Sequence, residues 1–221
     1  MARVIIVVPT LEAGAALGEC LDSIEGQTFR DFAVVVADNS GRGRVRAMGA
    51  LPPFVTVIEN ESNVGFGRAI NQGAAAGESE FVAVLNDDAR AGPEWLDKMV
   101  RAMEERYEIG MCAPLVTLAG QEVLDSAGML ICADGSSKQR GHGESREGYR
   151  RSQETLLPSG SAALYRRDML EELGGFDESF FLYCEDTDLG LRARWAGWSA
   201  CSCRRRWWSI AIRIQRGGLR R

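Results

Sequence analysis

The sequence is poor in the residues that define several common classes of protein. It contains one His among 221 residues, which excludes the multi-histidine sites of many zinc enzymes. Its six Cys residues show no Cys-x-x-Cys spacing, so we expect neither a disulfide scaffold nor a zinc ribbon, and a reducing cytosol fits better. No stretch approaches the roughly 18 apolar residues that cross a bilayer, and the N-terminus has no signal-peptide cleavage site. We therefore expect a cytoplasmic protein.

Basic charge is also scarce outside the last part of the chain. The net charge is −5, but residues 204–221 hold seven Arg and no acidic residue, which leaves 19 basic and 31 acidic residues in 1–203. Nucleic-acid binding needs a basic face on the folded part, so this partner is excluded. Arg clustered with Trp in 201–221 predicts peripheral contact with anionic lipid at the inner face of the membrane. The abrupt change in composition also fits a shifted reading frame.

Strand and helix patterns alternate through the first 115 residues. Continuous β-branched and apolar runs predict five buried strands, at 4–8, 33–37, 54–58, 81–85 and 109–116. Apolar residues at helical spacing predict helices between them. This alternation predicts an α/β fold with a doubly wound, mostly parallel central sheet between two helical layers, as in Rossmann-like proteins. The polar, aperiodic segment 134–153 is predicted to be a mobile loop.

Carboxylates follow two of the predicted strands. Asp38 ends the second strand, and Asp87 and Asp88 follow the fourth. In open parallel sheets ligands bind beyond the carboxyl ends of the strands, so these side chains would lie at the binding edge. Adjacent carboxylates there suit Mg²⁺ or Mn²⁺, which bind one or two carboxylates together with substrate phosphates. The alternative is a turn in which the Asp side chains bind their own backbone.

Two further motifs precede predicted helices. Glu185-Asp186-Thr187-Asp188 places three carboxylates together, and like charges this close raise one another's pKa, which suits a general base. The alternative is a set of acidic residues stabilised by the dipole of the helix that they begin. Asn63-Val64-Gly65 is a Gly-bearing turn, and the helix after it would present its N-terminus to a diphosphate, with Arg68 in the first turn.

Seven short motifs, most of them at predicted strand ends and helix starts, occur in a fixed order: Val7-Val8-Pro9-Thr10, Gln27-Thr28-Phe29, Val36-Ala37-Asp38-Asn39-Ser40, Asn63-Val64-Gly65-Phe66, Leu85-Asn86-Asp87-Asp88, Gly174-Gly175-Phe176-Asp177-Glu178 and Tyr183-Cys184-Glu185-Asp186-Thr187-Asp188-Leu189. This order resembles the family-2 glycosyltransferases, which are inverting enzymes with the GT-A fold. The last two motifs are most similar to the rhamnosyltransferase-like branch. The resemblance extends over residues 3–200.

The resemblance implies a role for each matched position. The protein would transfer a sugar from a nucleotide-diphospho-sugar to an acceptor hydroxyl on a glycan, a lipid-linked sugar or a cell-surface polysaccharide precursor. A divalent metal, Mn²⁺ or Mg²⁺, would bind Asp88. The catalytic pair would be Glu185 and Asp186, with Asp186 as the base that deprotonates the acceptor. The nucleotide sugar would be contacted by Pro9, Thr10, Asp38, Asn63, Arg68 and Asp87.

The resemblance also implies two halves of one domain, and it shows where this sequence departs from the family. Residues 1–115 would form the nucleotide-sugar-binding half of the domain and 116–200 the acceptor and catalytic half, followed by the atypical basic tail. The family continues after Ala200 with a strand and a His that completes the metal site, and here no His follows; His142 lies in the polar loop. A non-catalytic nucleotide-sugar- or glycan-binding module is therefore the main alternative. A nucleotidyltransferase is excluded because residues 9–14 contain no basic side chain.

Overall fold

The structure follows the predicted alternation of strands and helices. It is a computed structural model that describes residues 2–118, 123–149, 154–202 and 210–212, the last range through its backbone only. The strands are β1 (Val4–Thr10), β2 (Phe32–Asp38), β3 (Val55–Glu59), β4 (Phe81–Leu85), β5 (Ala89–Arg90), β6 (Ile109–Ala113), β7 (Val116–Leu118), β8 (Leu124–Ser126), β9 (Met129–Ile131), β10 (Ser137–Gln139), β11 (Ala162–Arg166), β12 (Ser199–Ser202) and β13 (Ile210–Ile212). The α-helices are α1 (Ala15–Glu25), α2 (Arg44–Ala47), α3 (Phe66–Ala75), α4 (Trp95–Glu104), α5 (Arg167–Leu173) and α6 (Glu185–Trp195).

Seven strands form the central sheet, in the order β12-β6-β11-β4-β1-β2-β3. The strands from β4 to β3 run parallel, as do β6 and β12, whereas β11 pairs antiparallel with both β4 and β6. The predicted α/β fold with a mostly parallel sheet is confirmed. The reversal of β11 is absent from the prediction because a buried apolar run has the same pattern in either direction.

Helices cover both faces of this sheet. One apolar core lies between the sheet and the helices α1 and α4, and it contains the fully buried side chains of Leu17 and Leu96. The other lies against α3, α5 and α6 and contains Ile70, Met169 and Leu189. Successive side chains of a strand point to opposite faces, so β1 contributes alternate residues to the two cores. Its run of β-branched residues is therefore buried throughout.

Gln27 joins the end of α1 to the start of α4. Its side chain is fully buried, and its Nε2 donates to the carbonyls of Ser23 at 3.0 Å and Gly92 at 2.8 Å. Its Oε1 accepts from the amide of Leu96 at 3.0 Å. A buried amide without such partners would destabilise the fold by about 1–3 kcal/mol. The motif at Gln27 is thus explained by packing between two helices.

A second sheet and a hairpin flank the central sheet. The second sheet has the order β5-β13-β7-β8, and β9 pairs antiparallel with β10. The predicted strand at 109–116 is divided between β6 and β7. The prediction of a loop over 134–153 is wrong where β10 forms, because these polar residues pair with the backbone of β9 and need no apolar side chains to do so.

The predicted basic tail lies mostly outside the described residues. β12 runs across the predicted boundary at residue 200, and β13 lies within the tail, where it pairs antiparallel with β5 and parallel with β7. The membrane contact expected of the Arg and Trp residues falls on positions outside the described ranges and stays a prediction. No helix in the parts of the chain that the structure describes is long and apolar enough to cross a bilayer.

Candidate active site

A cleft opens where the loops after β1, β2 and β4 meet. β1 pairs with both of the other strands, and Thr10 at its end is the register partner of Asp38. The cleft has a volume of about 310 Å³, and it lies beyond the carboxyl ends of the strands, as expected of open parallel sheets. Its lining comes from these loops, α1, the turn before α3 and the segment before α6: Pro9, Thr10, Leu11, Glu12, Ala13, Ala16, Asn39, Asn63, Gly65, Phe66, Asn86, Asp87, Asp88, Phe181 and Leu182.

Thr10 ties the loop after β1 to the loop after β4. Its hydroxyl donates to Asp87 Oδ2 at 2.5 Å and accepts from the amide of Ala13 at 3.0 Å. Ala13 has φ +52°, a left-handed conformation that non-Gly residues adopt rarely. The Thr10 hydroxyl therefore fixes the walls of the cleft relative to each other.

Asp87 and Asp88 give the cleft an excess of negative charge. Burial raises the pKa of both carboxyls, and the charge of Asp87 raises that of Asp88 further. Glu12, also on the lining, raises the pKa of Asp87. Within the described ranges, no basic side chain forms an ion pair with Asp87 or Asp88. Partly buried carboxylates without a counter-charge are electrostatically suited to a divalent cation.

Two carboxylates fit a metal that shares its coordination with phosphates. Mg²⁺ usually binds through one or two carboxylates, substrate phosphates and waters. Among the residues that the structure describes, no three His, Cys, Asp or Glu side chains stand together as a complete metal site. His142 lies beside β8, with its Nδ1 3.1 Å from the carbonyl oxygen of Asp125, and it is not on the cleft lining. Asp88 and Asp87 are the carboxylates of this loop that could hold a metal together with substrate phosphates, and that role stays a prediction.

Asp38 lies beneath the cleft and Asn39 on its lining. Asp38 is 1% exposed, and its two carboxylate oxygens accept from the amides of Ser40 and Val45, both at 2.9 Å. Burial opposes ionisation, but the hydrogen bonds from Ser40 and Val45 outweigh it and lower the pKa of Asp38. The side-chain Nδ2 of Asn39 donates to the carbonyl of Gly65 at 3.2 Å. The structure thus gives Asp38 a role in holding the loop after β2.

The turn before α3 is locked to the segment before α6. The Phe66 amide donates to the carbonyl of Phe181 at 3.0 Å, and the Gly65 amide donates to Asn63 Oδ1 at 3.0 Å. Gly65 has φ +86°, and a Cβ there would lie 2.5 Å from the Phe181 oxygen. Both facts require glycine. The first amide of α3 is consequently engaged by Phe181 rather than directed freely into the cleft.

The Asp186 carboxylate is held by three hydrogen bonds. Its Oδ2 accepts from the Gly160 amide at 2.7 Å, and its Oδ1 accepts from the amide and hydroxyl of Thr187 at 2.6 and 3.2 Å. A Cβ built on Gly160 would lie 3.3 Å from Asp186 Oδ2 and 3.4 Å from Phe66 Cε1. The carboxylate is therefore a near neighbour of the Phe66 ring, which lines the cleft. The geometry presents an oriented carboxylate at the edge of the binding site.

The backbone immediately before α6 is strained. Tyr183 and Cys184 both have φ +70°, and left-handed conformations of non-Gly residues cost about 1–3 kcal/mol and cluster at functional sites. The turn leads directly into Glu185 and Asp186 and leaves the Tyr183 side chain 74% exposed. Glu185 itself is buried, and burial raises its pKa.

Comparison with known proteins decides the family. The family described as Glycosyl transferase family 2 matches residues 5–174. The chain belongs to this family. N-acetylglucosaminyl-diphospho-decaprenol L-rhamnosyltransferase from Mycobacterium tuberculosis is 31% identical over 217 residues, which cover 87% of this chain and 71% of that relative. An uncharacterized glycosyltransferase from Bacillus subtilis is 28% identical over 192 residues, covering 86% and 68%. The protein is a glycosyltransferase, and the predicted resemblance to the rhamnosyltransferase-like branch is confirmed.

Solved structures confirm the predicted GT-A fold of this family-2 glycosyltransferase. Mannosyltransferase PcManGT from Pyrobaculum calidifontis, solved in complex with GDP-Man and Mn²⁺, superposes with a TM-score of 0.67 at 22% identity and covers 91% of the chain. S. aureus TarS 1-349, in complex with UDP-GlcNAc, superposes with a TM-score of 0.71 at 20% identity and covers 98%. The chain spans 56% and 60% of these two solved chains.

The glycosyltransferase brings five of the predicted site residues together on the cleft lining: Pro9, Thr10, Asn63, Asp87 and Asp88. Asp38, Glu185 and Asp186 are not on the lining, and Asp186 approaches the cleft beside the Phe66 ring. Arg68 points to the surface, where its Nε is 3.6 Å from Glu178 Oε2. The contacts of these residues with nucleotide sugar, metal and acceptor stay predictions.

Ten of the fifteen residues on the cleft lining of this glycosyltransferase are not among the predicted site residues. Three of them, Glu12, Asn39 and Asn86, are polar residues next to predicted positions at strand ends, and this pattern is typical of residues that line a cleft. Phe181 and Leu182 come from a distant part of the chain. No local pattern indicates that they meet the turn at Gly65, because the contact is made through backbone atoms.

Proposed function

We propose that this glycosyltransferase is an inverting, metal-assisted enzyme that moves a sugar from a nucleotide-diphospho-sugar to a hydroxyl of a lipid-linked or polysaccharide-precursor glycan. The observation that carries the proposal is the separation of two carboxylate sites. Asp87 and Asp88 lie on the cleft lining without a basic partner among the described residues, whereas Asp186 is hydrogen-bonded to Gly160 and Thr187 near the Phe66 ring. One site suits a metal and a diphosphate, and the other suits a base.

Relatives support the classes of donor, metal and acceptor. PcManGT was solved with GDP-Man and Mn²⁺ and TarS with UDP-GlcNAc, which favours a nucleoside-diphosphate sugar and a divalent metal here. The name of the mycobacterial relative gives it a diphospho-decaprenol-linked acceptor. We infer an acceptor of the same class, presented at the cytoplasmic face of a membrane.

The proposed reaction uses the two carboxylate sites at the same time. Asp88, with Asp87, would hold Mn²⁺ or Mg²⁺, which offsets negative charge on the departing nucleoside diphosphate. Asp186 takes the proton of the acceptor hydroxyl as its oxygen bonds to the anomeric carbon. The electron pair of the broken bond leaves with the diphosphate, so transfer occurs in one step with inversion. A positioned base contributes about 10²–10⁴-fold in rate.

Three consecutive residues next to the base, Phe181, Leu182 and Tyr183, form an apolar lip that is proposed to contact the acceptor. Phe181, Leu182 and Tyr183 are 55%, 54% and 74% exposed, and the first two also line the cleft. Consecutive exposed apolar side chains beside a cleft indicate a binding surface. The C–H face of a pyranose ring is apolar, and stacking it on an aromatic ring leaves its hydroxyls free for Asp186. The lip therefore suits the sugar that receives the transfer.

Tyr183→Ala is expected to raise the acceptor KM about fivefold and leave the donor KM unchanged, because an aromatic contact of this kind contributes about 1 kcal/mol. Initial-rate kinetics with each substrate varied in turn would measure this. Trp195→Ala is the matched control, since Trp195 is 83% exposed at the far end of α6. Equal effects of both variants on the acceptor KM would show that the lip does not contact the acceptor.

The function itself is tested by thermal melting with nucleoside diphosphates, with and without Mn²⁺, followed by a transfer assay. We expect one nucleotide to raise the melting temperature in the presence of Mn²⁺, because a ligand at 100 times its Kd stabilises the native state by about 2.7 kcal/mol. We then expect the matching nucleotide sugar to be turned over. A shift without any turnover would favour the binding-module alternative, and no shift with any nucleotide would contradict the proposal.

A further inference from the structure

Two buried polar atoms behind Asp186 have no hydrogen-bond partner among the residues that the structure describes. They are Oε2 of Glu185 and the hydroxyl oxygen of Tyr165. Glu185 is 6% exposed and Tyr165 is 1% exposed. Because nearly all buried polar groups in proteins are satisfied by protein or water, two such atoms near one site need a physical explanation.

The two atoms belong to the same buried region. Glu185 begins α6, and its Cβ would lie 3.8 Å from a Cβ on Gly67 of α3, which would itself lie 3.1 Å from Cβ of Phe176. The ring of Phe176 packs edge-on against Tyr165, with centroids 5.6 Å apart. Burial raises the pKa of Tyr165, and the carboxylates of Asp186 and Glu185 raise it further. Glu185, Phe176 and Tyr165 thus pack in one buried region between α3, α6 and β11.

Glu185 and Asp186 differ sharply in their surroundings. Asp186 receives three hydrogen bonds, two of them from backbone amides. Glu185 has an unpartnered oxygen in an apolar setting, where an ionised carboxylate is strongly disfavoured. A buried water molecule typically makes about three hydrogen bonds to groups of this kind. Burial is the largest cause of the raised pKa of Glu185, and the charge of Asp186 raises it further, as the like-charge argument from the sequence predicts.

We propose that Glu185 is an uncharged positioning residue whose Oε2 shares one internal water molecule with the Tyr165 hydroxyl. The side chain fills the space between α3 and α6 and fixes the first turn of α6, so that Asp186 faces the acceptor. It takes no proton from the substrate. This inference rests on the proposed role of Asp186 as the base.

The protonation of Glu185 gives a readout that is independent of activity. The titratable groups that face it are Asp186 on its own helix and Tyr165 on β11. On the α3 side, Gly67 faces it, and the charge of Arg68 is directed to Glu178 at the surface. The folded-state pKa of Glu185 is raised above its ordinary value of 4.5. The native state thus binds this proton more tightly than the unfolded state, and its contribution to stability, complete below pH 4.5, is lost as the pH rises through the raised pKa.

Three variants of the full chain test the positioning role. Asp186→Asn is expected to lower kcat by about 10²–10⁴-fold. Glu185→Ala is expected to lower kcat by about 10²-fold, because the start of α6 is misplaced. Glu185→Gln keeps the shape of the side chain, so its kcat is expected to be at least about tenfold higher than that of Glu185→Ala. The acid limb of the pH–kcat profile should be the same for Glu185→Gln and the wild type. A Glu185→Gln variant as damaged as Asp186→Asn, or one with a shifted acid limb, overturns the proposal.

Melting curves test the protonation of Glu185 independently of the proposed function. The melting temperature of Glu185→Gln should increase relative to that of the wild type as the pH rises from 4.5 towards neutrality, because only the unfolded state of the wild type is stabilised by ionisation of Glu185. A constant difference, or one that falls, overturns the proposal. A crystal structure should show one water within hydrogen-bonding distance of Glu185 and Tyr165, and Tyr165→Phe should lose it. Full activity of Asp186→Asn would instead overturn Asp186 as the base and leave the melting result to decide on Glu185.

Discussion

Asp186→Asn is expected to lower kcat by about 10²–10⁴-fold while donor binding is retained. The amide cannot accept the acceptor's proton, and Thr10, Asp87 and Asp88 of the donor cleft lie on other loops. Both oxygens of Asp186 accept from backbone amides of Gly160 and Thr187, so the substituted amide also gives up one of these bonds. Single-turnover transfer, donor titration and thermal melting of the same preparation would separate lost chemistry from lost stability.

Asp188→Asn is the matched control for this prediction. Asp188 lies on the same turn of α6, but it accepts from Arg192 Nε at 2.8 Å. Its loss weakens a half-buried ion pair and should reduce stability by about 1 kcal/mol or less without changing the pH profile of transfer. If Asp188→Asn were as inactive as Asp186→Asn, the charge of the helix start rather than a specific base would explain the effect.

Asp88→Asn is expected to remove the Mn²⁺-dependent part of nucleoside-diphosphate binding, a loss of about 10²-fold in affinity, because an amide is a much weaker ligand for a hard cation than a carboxylate. Removal of the metal from the wild-type protein with a chelator should have the same effect. Titration of the nucleotide with and without Mn²⁺ measures both. Equal affinities of wild type and variant in Mn²⁺ would show that Asp88 is not the metal ligand.

The stability of Asp88→Asn distinguishes a lost site from a damaged fold. Burial raises the pKa of Asp88, so without metal its ionisation destabilises the native state as the pH rises. In chelator at neutral pH the variant should therefore melt at or above the wild-type temperature. Asp125→Asn is the control, because burial also raises the pKa of Asp125 but this residue faces Gln139 and His142 away from the cleft. It should leave nucleotide binding unchanged.

The sequence predicts which strands position the site better than it predicts the contacts that the site residues make. Buried runs locate β1, β2 and β4, and the rule for strand ends brings Asp87 and Asp88 to one cleft. The pattern cannot show that backbone amides already engage Asp38, because those bonds depend on the path of the following loop. The pattern also cannot show that Glu185 is buried whereas Asp186 accepts hydrogen bonds from backbone amides. The burial of Glu185 against α3 and the hydrogen bond from Gly160 to Asp186 both depend on residues that lie far away in the sequence.

The contact between Gly65 and Phe181 allows only glycine at position 65, whereas the amino acid at other positions on the cleft lining can be changed. No side chain fits at Gly65, since a Cβ would meet a backbone oxygen that the start of α3 holds in place. Leu11 and Leu182, which are also on the cleft lining, are 47% and 54% exposed, and their side chains can be replaced without disturbing the buried core. Redesign of the enzyme for another sugar should therefore begin with libraries at these two leucines and leave the glycine turn untouched.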